Sequence, residues 1–394
     1  MSMNPDLALK HPPVVASMAS QRSWLVMLLA ASAGGLIAYV GVTGLINAGF
    51  AEGLLSQSSN HWPLVIACWL VAVWVAITMH ELGHMTGAVL AGLLPLMLFS
   101  GPLQLELEAG KLRCSINRHR STWGGLAVAI PRAGSSLEPR QAIWTVAGGP
   151  LSSVLVALVT LTMYPYLSGI ESVLFLQVGL MSLAIGVATL IPLQSGGFAS
   201  DGGQLWQLLR SDVRALQRLE LAAIIGRNFS GHRPGQWDLE NLQKIARESK
   251  LAVLKTSALL LAAQVLDDRP DAQAALRGFE SLAKDLHNGG LAAYPRAFRV
   301  GLTLPIAIYL AQQRRDADAA QRWMEAYTDG IEEPHERLYA RAAICMARGD
   351  VAGARALALE ALEQLSKNPP TGLRELASER LRAIARFETS TIST

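Results

Sequence analysis

The pattern of hydrophobic and polar positions divides the chain near residue 205. Before it, Trp24–Phe50, Trp62–Met79, Ile143–Ser168 and Ser172–Ser200 carry no Asp, Glu, Lys or Arg. A bilayer-crossing helix needs about 20 apolar residues, so four spans are predicted, at about 24–50, 62–90, 143–168 and 172–200. A polar tail, 1–23, precedes them. It does not have the form of a secretory signal, so the first apolar stretch is expected to be retained. Pro192 and Gly196-Gly197 interrupt the fourth span late. After residue 210 the pattern becomes that of amphipathic helices rich in Ala, Leu, Glu and Arg.

Between the second and third spans the period changes. Leu103-Gln104-Leu105-Glu106-Leu107-Glu108 alternates with period two, Ala109-Gly110 supplies a turn, and Lys111-Leu112-Arg113-Cys114-Ser115-Ile116 alternates again. This pattern predicts a β-hairpin, with Leu126–Ile130 as a third strand before Pro131. The expected fold is mainly α. It comprises a helical membrane core over 24–210 with a small cytoplasmic β segment, then a soluble helical domain over 211–394.

The soluble part carries a weak repeat. Asp271–Ala275, Asp316–Ala320 and Asp350–Ala354 share a D-x-x-x-A start, and the last two starts lie 34 residues apart. That is the tetratricopeptide period, so a short solenoid of helical hairpins is expected, only loosely like those repeats. An insertion around His287–Pro295 breaks the period, and Pro305 is expected to kink or end its helix.

Composition changes this picture little. The 394 residues are 51% hydrophobic and 16% charged, and the net charge of +3 is too small to suggest a nucleic-acid partner. Cys68, Cys114 and Cys345 are too few and too scattered for a disulfide framework. The placement of positive charge is more informative. Lys111, Arg113, Arg118, Arg120, Arg132 and Arg140 fall between spans two and three, whereas 51–61 and 166–171 hold no Lys or Arg. The positive-inside rule then makes that segment, both termini and the helical domain cytoplasmic, in a multi-pass protein of a prokaryotic cytoplasmic membrane.

The candidate chemistry sits at the end of span two. His80-Glu81-Leu82-Gly83-His84 reads H-E-x-x-H. On a helix, i and i+4 share a face, so both histidines can reach one metal ion with a glutamate beside it. Ionisable groups in such a segment are costly and generally functional. A catalytic zinc needs a third protein ligand. Asp201, in Ser200-Asp201-Gly202-Gly203, stands where span four returns to the same face; as a plain residue it could instead cap the helix that follows.

These motifs resemble the site-2 protease family of intramembrane zinc metalloproteases. The resemblance covers about 60–210 and rests on the H-E-x-x-H, on Ala147-Gly148-Gly149-Pro150-Leu151 in the next span, and on Ile191-Pro192 followed by Asp201-Gly202-Gly203. It implies one Zn2+ held by His80, His84 and Asp201, with Glu81 as catalytic base. It also implies substrate positioning by Gly149, Pro150, Ser153 and Gly202, on a membrane-anchored protein substrate within the bilayer. Ser153 stands where the family commonly has Asn, and one proline rather than two precedes the D-G. The strands at 103–116 or 126–130 are expected to pair with an unwound substrate segment. The helical domain is expected to bind a protein partner. The rival expectations are a catalytically inactive membrane scaffold that works through that domain, and a membrane hydrolase or metal-handling protein for a small molecule.

Overall fold

The computed structural model describes residues 5–15, 62–108, 111–118, 122–132, 135–195, 198–328, 330–368 and 370–387. The predicted span at 24–50 lies outside them. Contacts divide the chain into two units, one mainly of 18–131 and 137–216, the other of 1–17, 132–136 and 217–394.

The first unit is built on three long helices: α2 (Trp62–Leu90), α3 (Pro139–Met163) and α4 (Gly169–Leu190). Each is long and apolar enough to cross a membrane, α3 together with the turn Tyr164–Tyr166. Their apolar residues are not all turned inward: Leu70, Leu155 and Leu158 are exposed, as expected of faces that meet lipid rather than water. Tight packing holds the bundle together. A Cβ on Gly83 would lie 2.4 Å from the Gly148 carbonyl oxygen, so α2 and α3 cross with their backbones nearly touching. Ser152 Oγ on α3 donates to Met79 O on α2 at 2.8 Å.

The third and fourth helices differ in their bounds from the expected spans. The third helix starts earlier, at Pro139, whose missing N–H costs nothing at the first helical position. It ends at Met163, where Pro165 favours a 3-10 turn. The fourth stops at Leu190 rather than near 200. Pro192 cannot continue it, and the chain forms the short pair β5 (Gln194–Ser195) and β6 (Phe198–Ala199) instead.

The β segment is larger than the pattern suggests. Strands β1 (Leu94–Ser100), β2 (Leu103–Glu108), β3 (Lys111–Ile116) and β4 (Leu126–Ile130) form an antiparallel sheet in the order β3-β2-β1-β4. The β2–β3 hairpin pairs Leu103 with Ile116 and Glu108 with Lys111. The pattern does not single out β1, because its Leu-Pro-Leu-Met-Leu-Phe run lacks alternation. It is one of the two inner strands, with Leu98 and Phe99 buried. Trp74 Nε1 donates to Ser100 O at 3.0 Å, and Thr78 Oγ1 shares a 2.8 Å bond with Ser100 Oγ, which ties the sheet to α2.

The second unit is helical: α6 (Val213–Phe229), which enters it from α5 (Asp201–Leu209), then α7 (Leu239–Glu248), α8 (Ala252–Asp267), α9 (Ala272–Asp285), α10 (Val300–Tyr309), α11 (Ala317–Glu325), α12 (Pro334–Ala347), α13 (Val351–Ser366) and α14 (Gly372–Arg386). The D-x-x-x-A pattern has a local cause. Asp271, Asp316 and Asp350 are N-caps whose carboxylates accept from the amides of Ala274, Ala319 and Gly353, each at 2.9 Å. The alanine that follows, Ala275, Ala320 or Ala354, is buried against the paired helix. Pro305 does not end its helix. Its absent N–H would have met the carbonyl of Gly301, which is exposed and can be satisfied by solvent. The helix continues to Tyr309 and closes in a wide turn, Leu310–Arg314. The expected insertion forms turns at Leu286–Gly290, Leu291–Ala293 and Arg296–Phe298. The short helix α1 (Pro5–Lys10) packs on α9.

Candidate metal centre

His80 and His84 lie one turn apart on α2, and Asp201 is the first residue of α5. What brings the aspartate to them is the end of α4. A Cβ on Gly202 would fall 1.8 Å from Leu190 O, so only glycine lets α5 begin against that helix end. Ser200, rather than Asp201, caps α5: its Oγ accepts from Gly203 N at 3.2 Å and donates to Ile191 O at 2.6 Å. The Asp201 carboxylate is thereby left free to face the histidines.

Three side chains converge. His80 Nε2 is 3.2 Å from His84 Nε2 and 3.1 Å from Asp201 Oδ2, and His84 Nε2 is 3.5 Å from Asp201 Oδ1. Donors bonded at about 2.0–2.1 Å to a tetrahedral ion stand about 3.3 Å from one another. These separations are close to that value, with the two nitrogens each nearest a different oxygen of the Asp201 carboxylate. Together these residues form a cluster that could hold a metal ion.

The rear of each imidazole is also held. His84 Nδ1 donates to Thr145 O at 2.9 Å, which leaves Nε2 as the lone-pair nitrogen. His80 Nδ1 lies 2.9 Å from Ser153 Oγ, and bonding there leaves its Nε2 turned to the cluster. Such outer partners fix ring orientation and ligand basicity.

Glu81 faces the same space. It is 8% exposed and lines a cavity of about 720 Å³ together with His80, His84, Asp201, Leu126 and Gln204. Gly125, with φ +104°, makes room for it, since a Cβ there would lie 2.2 Å from Glu81 Oε1. The loop carrying Gly125 is anchored by Asn117, whose Nδ2 donates to Gly101 O at 2.9 Å and to Thr122 Oγ1 at 3.0 Å.

The residues expected to position substrate fall in distinct places. Gly149 sits against the His84 ring, where a Cβ would approach Nε2 to 2.3 Å. Pro150 is buried within α3. Ser153 is buried at 1% exposure and bonded to His80, and Gly202 packs on Leu190. Thr145 and Gly125 are further contributors that the sequence reading did not name, and Ser200, named there only as Asp201's neighbour, takes the cap. A serine just before Asp-Gly-Gly is a legible N-cap signal. A main-chain carbonyl at Thr145 and a glycine opposite Glu81 leave no local signature.

No family model, curated protein or solved structure matches this chain.

Proposed function

We propose that the chain is an intramembrane zinc endopeptidase that cleaves a membrane-anchored protein. The observation that carries this reading is the convergence of the ligand atoms of His80, His84 and Asp201 within 4.8 Å of one another, beside a buried glutamate in a cavity among membrane-length helices. Zinc suits the donor set, two imidazoles and one carboxylate with an open position. The chemistry such an ion supplies is activation of water and polarisation of the scissile carbonyl.

The rest falls to the chain. Glu81 accepts the proton of the attacking water and returns it to the leaving amine. Ser153 and the Thr145 carbonyl keep the two imidazoles presented through Nε2. The apolar walls, including Met181 and Ile185, limit water to what the reaction uses. Strand β4 suits an unwound substrate segment, because it closes one side of the sheet and its Leu126 and Ala127 line the cavity. The cluster lies in the C-terminal half of α2, the half that leads to the Arg-rich segment, so the reading puts cleavage toward the cytoplasmic side of that span.

Glu81→Gln tests the proposal. It removes the base while keeping all three ligands. The variant is expected to bind zinc at the wild-type ratio and to leave at least one membrane protein uncut that wild-type cells process, with cleavage down by about 10³-fold. Comparison of the two membrane proteomes checks this. If no membrane protein accumulates under any condition, the scaffold alternative replaces the protease.

A further inference from the structure

The insertion that breaks the repeat in the helical unit has a use that the metal centre does not touch. His287 lies in it, and its Nε2–H points at two main-chain carbonyls of a distant segment: His11 O at 2.9 Å and Ala8 O at 3.2 Å. On the neighbouring helix α11, Trp323 Nε1 donates to Leu9 O at 2.7 Å and Arg322 Nε to Lys10 O at 2.9 Å. Beyond it, Tyr327 OH reaches Pro13 O at 3.5 Å. Each of these is a donor aimed at a backbone carbonyl.

The segment they hold is suited to such a row. The last carbonyls of a helix as short as α1 have no partner within it. Pro12 and Pro13 have no N–H, so this stretch offers acceptors and few donors. Its side chains add one anchor. Leu9 is 5% exposed and Ala8 fully buried, packed in a core that includes Phe279, Leu282, Leu286 and Trp323. Without the segment, the Trp323 indole N–H would lack its acceptor and the slot for Leu9 would open. This arrangement reads backbone and one apolar pair, as peptide-binding grooves do.

We infer that this groove is a peptide-binding site of the helical unit, filled in cis by residues 7–13 as an exchangeable strap. Its ligand in trans is a segment of a partner protein with the same chemistry: a small–large apolar pair ending a helical turn, followed by an extended proline-containing stretch. The inference stands independently of the protease reading. Tethering raises the local concentration of the resident segment, so a free peptide competes poorly until the tether is cut.

The test uses the full chain in detergent with a protease recognition sequence inserted between residues 17 and 23, and a fluorescent peptide of residues 1–17 as probe. After cutting and washing, the probe is expected to bind saturably. Its affinity should exceed that for the uncut chain by about tenfold or more. A Leu9→Asp probe, and a chain carrying Trp323→Phe, should each weaken binding by about tenfold. Circular dichroism and thermal melting report the fold throughout. Equal binding to cut and uncut chains, or equal binding of the Leu9→Asp probe, would overturn the inference. So would a cut segment that never leaves, or a helical unit that unfolds when it does, because the segment would then be a fixed part of the core.

Discussion

The two units each gather histidine and carboxylate groups, with opposite outcomes. In the membrane unit, His80, His84 and Asp201 meet with no arginine or lysine among the described residues that line their cavity. In the helical unit, His335, Glu333, Glu336 and Asp267 line a smaller cavity of about 150 Å³, and cations take up the acceptors. Arg374 grips Glu333 through Nε at 2.9 Å and Nη2 at 2.8 Å, and Arg380 Nη1 holds Asp267 Oδ2 at 2.6 Å. His335 Nδ1 lies 3.2 Å from Glu333 Oε2. Among the described residues only the first group satisfies the geometry of a metal cluster. Residue types are therefore insufficient: a metal site also needs acceptors that no permanent cation neutralises, and rings held from behind.

The comparison can be tested by variants, beginning with the largest expected effect. Asp201→Asn removes the anionic ligand. Zinc bound to purified protein is expected to fall by more than about 100-fold in affinity, and cleavage with it, whereas chelation and re-addition of zinc should abolish and restore the wild-type activity. Metal content by mass spectrometry checks this, and full retention of zinc would dissociate Asp201 from the site. Ser153→Ala leaves all three ligands but frees His80 Nδ1, and a loss of about 10–100-fold in zinc affinity is expected from competition with a chromophoric chelator.

Variants of the helical cluster should act on stability alone. Arg380→Leu leaves the Asp267 carboxylate without its cation. A loss of about 2 kcal/mol is expected, below the range for fully buried pairs because both side chains keep some solvent contact. Chemical denaturation of the helical unit measures it, and zinc content should not change.

The helical cluster also gives a pH dependence. Burial, and then the neighbouring Glu333 carboxylate, push Glu336 up to about 7. Between about 4.5 and about 7 the folded chain keeps a proton that the unfolded chain has lost. Stability from this group is therefore full below pH 4.5 and lost as pH rises through 7. Glu333 has the opposite sign. Burial would raise it, but the bonds from His335 and Arg374 hold it down to about 2, so its contribution is lost only on acidification toward that value. Glu336→Gln should flatten the decline between pH 4.5 and 7 in thermal melts, and an unchanged slope would remove Glu336 as its source.

Where the determining interaction is local, the sequence by itself sufficed. The i, i+4 spacing put His80 and His84 on one helical face, uncharged runs marked the three described membrane-length helices, and alternation marked β2 and β3. Asp271, Asp316 and Asp350 each announced a helix start, because an N-cap bonds an amide only three residues on. Tertiary structure decided what depends on distant backbone. Asp201 meets His80 across 121 residues of chain, and only the docking of α5 on Leu190 brings it there. That Gly149 touches His84 and Ser153 touches His80 depended on how closely α3 crosses α2. The fit of residues 5–15 on His287 and Trp323 is written in carbonyl positions, which every residue possesses and no side-chain pattern can reveal.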